Sequence, residues 1–188
     1  MNHAERGRSC ALGNRIRVYR RCHFSLTRHG PDRVSRIVLL SASLPSIQKS
    51  ADNPDGVDLE HFEHWRMSVG TDAPAWLARA GKLFAPEASP DMLQWLGRMV
   101  QENSLWAMVR TNRVEVETDW RAELPKVRVP TLVVHGDADS TCRIATTGRR
   151  VAQLIPGAEL KVYDGARHGL FVTHIERFNS DLLEFVRS

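Results

Sequence analysis

At 188 residues, with 42% hydrophobic and 26% charged residues, the chain is long enough for one domain with a sizeable core, and too apolar to be a disordered tail. No stretch approaches the roughly 20 consecutive apolar residues of a membrane span, and the N-terminus lacks the apolar core of a secretory signal, so a cytoplasmic protein is expected, with neither membrane nor nucleic acid as partner. The formal net charge of +4 is an N-terminal property: residues 1–36 hold nine arginines and two acids, which leaves the remainder net negative. No aromatic stacking pattern or recognition helix accompanies those arginines, as nucleic-acid binding would require. Three cysteines, Cys10, Cys22 and Cys142, have no metal-ligand spacing and form no disulfide framework.

Residues 1–25 show neither a helical stripe nor strand alternation and read as a poorly specified basic arm. From Leu26 the pattern improves, and L-T-R-H-G-P-D-R-V has the look of a helix end stopped by Gly30 and Pro31. Val34 to Ala42, with I-V-L-L at its centre, is the first strand on offer. Its apolar run is continuous, as in a parallel strand covered on both faces. Nearly ninety residues then precede the next strand, far more than a crossover requires. An insertion of about 43–125 is expected, with a turn-rich loop at Pro45–Gly56 and helices over Leu59–Val69, Ala75–Phe84, Asp91–Val109 and Asp119–Leu124. All five tryptophans fall there. They either line an apolar pocket beneath a lid or form the core of a helical layer.

The stretch P-T-L-V-V-H-G-D-A-D at 130–139 is a β-branched run ending in a polar turn: a buried strand that delivers Asp137 and Asp139 at its C-terminal edge. Open α/β sheets place ligands at that edge. A short helix over Thr147–Leu154 follows, then a strand at Glu159–Tyr163, after which D-G-A-R-H-G delivers His168 to the same edge. The last helix, Thr173–Val186, carries Ile175, Phe178, Leu182, Phe185 and Val186 on one stripe. Strands and helices alternating through short connections imply right-handed parallel units. The expected architecture is α/β, with about three parallel strands, flanking helices and a helical insertion after the first strand. An acid and a base on neighbouring strand ends suggest a charge-relay pair.

From about Leu26 onward the chain resembles the C-terminal portion of an α/β-hydrolase, and is similar to the cofactor-free haloperoxidase and esterase branch. The residues carrying this are R-I-V-L-L-S-A at 36–42, V-P-T-L-V-V-H-G-D-A-D at 129–139, T-G-R-R at 147–150 and G-A-R-H-G-L-F-V-T-H at 165–174. The resemblance implies a truncated hydrolase domain at 26–188 with a helical cap. It implies a serine hydrolase of small esters or acids with possible perhydrolase or haloperoxidase side activity, needing no metal, haem or other cofactor. By position Asp139 would be the relay acid and His168 the base, the carboxylate fixing the imidazole tautomer and stabilising the imidazolium. Asp137 would brace the turn.

The pattern breaks at the nucleophile. No G-x-S-x-G elbow occurs. The nearest string, Gly7-Arg8-Ser9-Cys10-Ala11, follows M-N-H-A-E-R, which is no buried strand, so Ser9 is a poor candidate. The loop that supplies an oxyanion-hole amide is missing too. Residues 1–25 are expected to replace the domain's missing N-terminal half, leaving the strand at Ile37–Leu40 with an edge that invites aggregation, pairing with another chain or a non-native cover from the arm. His61 and His64, one helical turn apart, read as a solvated face rather than a metal edge. Gly136 and Gly148 belong to no phosphate loop, so no nucleotide is implied. The expectation is a catalytically incomplete hydrolase; the alternative is a non-catalytic binding module using the cap pocket or the sheet edge.

Overall fold

The computed structural model describes residues 34–188 and the backbone of residues 9–13. The helix end expected before Val34 and the rest of the basic arm lie outside the described residues. One parallel sheet organises the fold, with strands in the order β1 (Ser9–Gly13), β2 (Val34–Leu40), β3 (Thr131–Gly136) and β4 (Glu159–Tyr163). β2 pairs with β3 from Ile37↔Thr131 to Leu40↔Val134, and β3 with β4 from Leu132↔Glu159 to Gly136↔Tyr163.

Successive side chains of a strand point to opposite faces, and here both faces are covered. Ile37, Leu39 and Val133 face Trp120, Leu124, Val151 and Ile155. Val38, Leu40, Leu132 and Val134 face Leu170, Phe178 and Phe185. A strand buried on both sides needs an apolar residue at nearly every position, which is why β2 and β3 read as unbroken runs. Each Val, Leu or Ile so buried contributes roughly 1.5–3 kcal/mol. The helices that close the faces are α5 (Gly148–Leu154) on the first, and α6 (Leu170–Thr173) with α7 (Ile175–Arg187) on the second.

The three expected strands are present, with a fourth that the sequence reading missed. β2 is not the first strand and its outer edge is not open: β1 pairs with it in parallel from Ser9↔Val34 to Gly13↔Leu39, with an irregularity between Ser9 and Cys10. S-C-A-L-G has no β-branched residue to mark it as a strand. Backbone pairing is indifferent to that, and the edge of a buried strand needs N–H and C=O partners.

Between β2 and β3 lie four helices: α1 (Leu59–Thr71), α2 (Ala73–Phe84), α3 (Pro90–Gln101) and α4 (Leu105–Glu117). Three begin on a side-chain cap, with Asp72 accepting from Ala75 N at 3.0 Å, Ser89 from Met92 N at 3.2 Å and Ser104 from Ala107 N at 3.4 Å. The single helix expected over Asp91–Val109 is two. Asn103 closes α3 by donating its side-chain amide to the carbonyls of Met99 and Val100, and Ser104 then opens α4. Asp119–Leu124 is a turn rather than a helix. Arg121 bridges Asp119 and Asp52 there, and a 3₁₀ turn at Leu124–Lys126 follows. The tryptophans do not act as one set. Trp120 is buried in the core, Trp65 and Trp76 meet edge to face at 5.4 Å, and Trp95 and Trp106 are exposed.

Candidate active site

β3 ends in His135-Gly136, and the chain then turns sharply across the end of β4. Asp137 N donates to Tyr163 O at 3.1 Å, and the Asp137 carboxylate accepts from Gly165 N at 2.7 Å. Asp137 therefore braces one turn against the other. Ala138 N donates to Ala166 O at 3.2 Å, so the two loops advance side by side. The next residue on one loop is Asp139, and two residues further on the other is His168.

Their side chains meet, with His168 Nδ1 2.8 Å from Asp139 Oδ2. The other carboxylate oxygen, Oδ1, accepts from the backbone N–H groups of Thr141 and Cys142, both at 2.8 Å. His135 approaches Oδ2 from behind, its Nε2 at 3.4 Å. Asp139 is 3% exposed and His168 8%. Burial by itself would favour the neutral acid. The hydrogen bonds from His135 and His168, the positive charge available at His168 and the Cys142 N–H outweigh it, and hold the Asp139 carboxyl well below the usual carboxylate range. His168 Nε2 accepts or donates no hydrogen bond among the described residues.

A carboxyl depressed in the folded state stabilises the fold above its unfolded pKa, about 3.9, and that contribution is lost as pH falls through the folded value. The stability gap between the wild-type chain and Asp139→Asn is therefore expected to be full near neutrality and to shrink as pH drops below about 4. Urea midpoints across a pH series measure it, and a gap that stays constant down to acid pH rules this account out.

The helical segment reaches the pair through Phe84. Phe84, at the end of α2, sets its ring edge-on to the His168 imidazole at 5.4 Å and to Phe171 at 5.9 Å, while Gly169 N donates to Phe84 O at 2.7 Å. A Cβ at Gly169 would sit 2.7 Å from the Phe84 ring and 2.9 Å from Ala85 Cβ, so only glycine permits this approach.

The remaining sequence candidates lie elsewhere. In a parallel sheet all strands share a direction, and Ser9 opens β1 opposite Val34, at the sheet end away from Asp139 and His168. Topology thus removes Ser9 from the pair, and the residues that follow β1, Asn14-Arg15-Ile16, include no serine. His61 and His64 are exposed on α1, and among the described residues no group of three or more His, Cys, Asp or Glu is placed to hold a metal ion. His174 stands between α6 and α7 with its ring against Tyr163. His135, which like His174 reads from the sequence as able to line the site but with no claim to chemistry, stands beside the acid. Its one signal was a polar residue closing an otherwise apolar strand.

Among known proteins, a family model described as serine aminopeptidase, S33 matches residues 94–174. The chain is 39% identical over 170 residues to a non-heme chloroperoxidase of Kitasatospora aureofaciens, a match covering 85% of this chain and 61% of that protein. Its fold superposes on a bromoperoxidase from Bacillus anthracis with a TM-score of 0.87 at 27% identity, covering 95% of this chain and 67% of the other. An esterase from Exiguobacterium antarcticum superposes with a TM-score of 0.85 at 26% identity, covering 94% and 66%. The chain has a truncated α/β-hydrolase fold and is similar to the C-terminal portion of haloperoxidase- and esterase-like proteins of that fold. It spans about six-tenths of the length of the curated relatives it matches. No helix among its described residues is long and apolar enough to cross a membrane.

Proposed function

We propose that this chain carries the acid and the base of a serine-hydrolase relay for small esters, and that it turns over no ester by itself. The observation that supports this is the 2.8 Å contact between His168 Nδ1 and Asp139 Oδ2 at the C-terminal edge of a parallel sheet. Asp139 keeps the His168 proton on Nδ1, which leaves Nε2 as the basic atom. In a complete relay Nε2 takes the proton of an attacking serine hydroxyl as the acyl bond forms, then returns it to the departing alkoxide. The positive charge that accumulates on the ring between those steps is balanced by Asp139. This sequence supplies no G-x-S-x-G elbow for the first step. The hydrolase-like domain is assigned to residues 26–188 with a cap at about 43–125, and Ser9–Gly13 of the preceding arm adds an edge strand to its sheet.

A fluorophosphonate labels a serine only where a neighbouring base activates it, so intact-mass analysis of the treated chain tests the proposal. The expected result is no adduct under conditions that fully label a complete relative. A single adduct that disappears in His168→Ala overturns the claim of incompleteness while upholding the relay. An adduct that persists in His168→Ala overturns the role of His168. Stoichiometric retention of a small ester without turnover and unaffected by His168→Ala favours a binding module instead.

A further inference from the structure

We infer that His135 is a positioning residue for the Asp139–His168 pair: as its Nε2–H tautomer it donates to the Cys142 carbonyl and to the same carboxylate oxygen that faces His168. This rests on reading the pair as a relay, and the argument for it lies in how the ring is held. His135 is fully buried at the end of β3. Its Nε2 lies 2.7 Å from Cys142 O and 3.4 Å from Asp139 Oδ2. Both neighbours are acceptors. A bare Nε2 lone pair would face two oxygens, so the proton belongs on Nε2, where it makes a three-centre bond with the carbonyl as its shorter arm.

Nδ1 completes the assignment. It is buried with no hydrogen-bond partner. A proton there would be an orphaned donor, the more so because Nε2 would simultaneously lose its own. The ring is also fixed in place from the side. A Cβ at Gly148 would lie 2.6 Å from Nδ1 and 2.9 Å from Cγ, so α5 packs its first residue flat against the imidazole.

Two histidines thus address one oxygen and do different things. His168 approaches from its loop at 2.8 Å and is 8% exposed. His135 is anchored in the sheet, and through the Cys142 carbonyl it also ties down the segment whose amides hold Oδ1. The carboxylate is thereby held at both oxygens, with Oδ2 unable to swing away from His168.

The test is histidine-labelled NMR on the whole chain. Long-range proton–nitrogen correlation of the wild-type protein is expected to show His135 protonated on Nε2 and bare on Nδ1. The reverse pattern overturns the proposal whether or not any variant folds. The second readout is the far-downfield exchangeable proton on His168 Nδ1, which a packing role for His135 would not touch. His135→Phe, which keeps a ring but no donor, is expected to lose that resonance to solvent exchange. His135→Gln, which restores an N–H at similar reach, is expected to retain it. Folded His135→Phe with the resonance unchanged overturns the positioning role. If the wild-type chain lacks the resonance altogether, the Asp139–His168 relay reading fails, and the tautomer measurement alone decides the assignment of His135.

Discussion

Asp139→Ala is expected to cost about 3–5 kcal/mol of folding stability, the range seen when one partner of a buried pair is removed. The carboxylate serves three close donors in a site that water scarcely reaches, the Thr141 and Cys142 amides on Oδ1 and His168 Nδ1 on Oδ2, with His135 Nε2 a longer fourth at 3.4 Å. Alanine leaves all three buried without acceptors, and each such group carries its own desolvation penalty of about 1–3 kcal/mol. Urea denaturation at neutral pH, with the slope unchanged between variants, gives the difference directly. A loss under about 1 kcal/mol would mean that the loop relaxes to find other acceptors, and would show the acid to be far less constrained than its geometry implies.

Gly136→Ala carries the second large effect, and for a different reason. A Cβ there would lie 2.1 Å from Ala166 O and 2.6 Å from Ala166 C, which is backbone and cannot rotate aside. Either β3 or the turn before His168 must shift, and with it the bond from Ala138 N to Ala166 O. Overpacking a core costs about 1–3 kcal/mol where side chains can yield; with backbone on both sides, the expected loss is at or above the top of that range. Thermal unfolding measures it. The same substitution should weaken the His168 Nδ1–Asp139 contact, since Gly136 sets the spacing of the two loops that bring them together. A variant of near wild-type stability would show that the loops part more readily than this spacing suggests.

Much of the framework was legible because double-sided burial is a severe demand. Only an unbroken apolar run satisfies it, and I-V-L-L and T-L-V-V announce β2 and β3 without ambiguity. The acid and base were legible for a related reason, since each sits in a short polar turn directly after a strand. Features that rest on backbone or on shape left no such trace. β1 is held by main-chain pairing, which S-C-A-L-G performs as well as a β-branched strand would. The break between α3 and α4 is made by Asn103 and Ser104, while the apolar spacing runs on across it, so periodicity joined two helices that capping separates. His135 could be placed near the site but given no role, because a histidine closing a strand looks like the start of the turn. Its burial depends on Gly148 arriving from a helix thirteen residues later, and that depends on the fold.

The contact between Phe84 and the histidine loop has a consequence for anyone exchanging cap segments between relatives of this chain. Because Gly169 N is bonded to Phe84 O and its Cα leaves no room beneath the Phe84 ring, the end of α2 and the loop bearing His168 are one fitted joint, though they are more than eighty residues apart in sequence. A graft whose junction falls after Ala85 keeps the joint intact, whereas one that replaces α2 must bring a compatible glycine loop with it. The usable boundary for recombination is therefore set by this seam, and not by the ends of the insertion as they appear in the sequence.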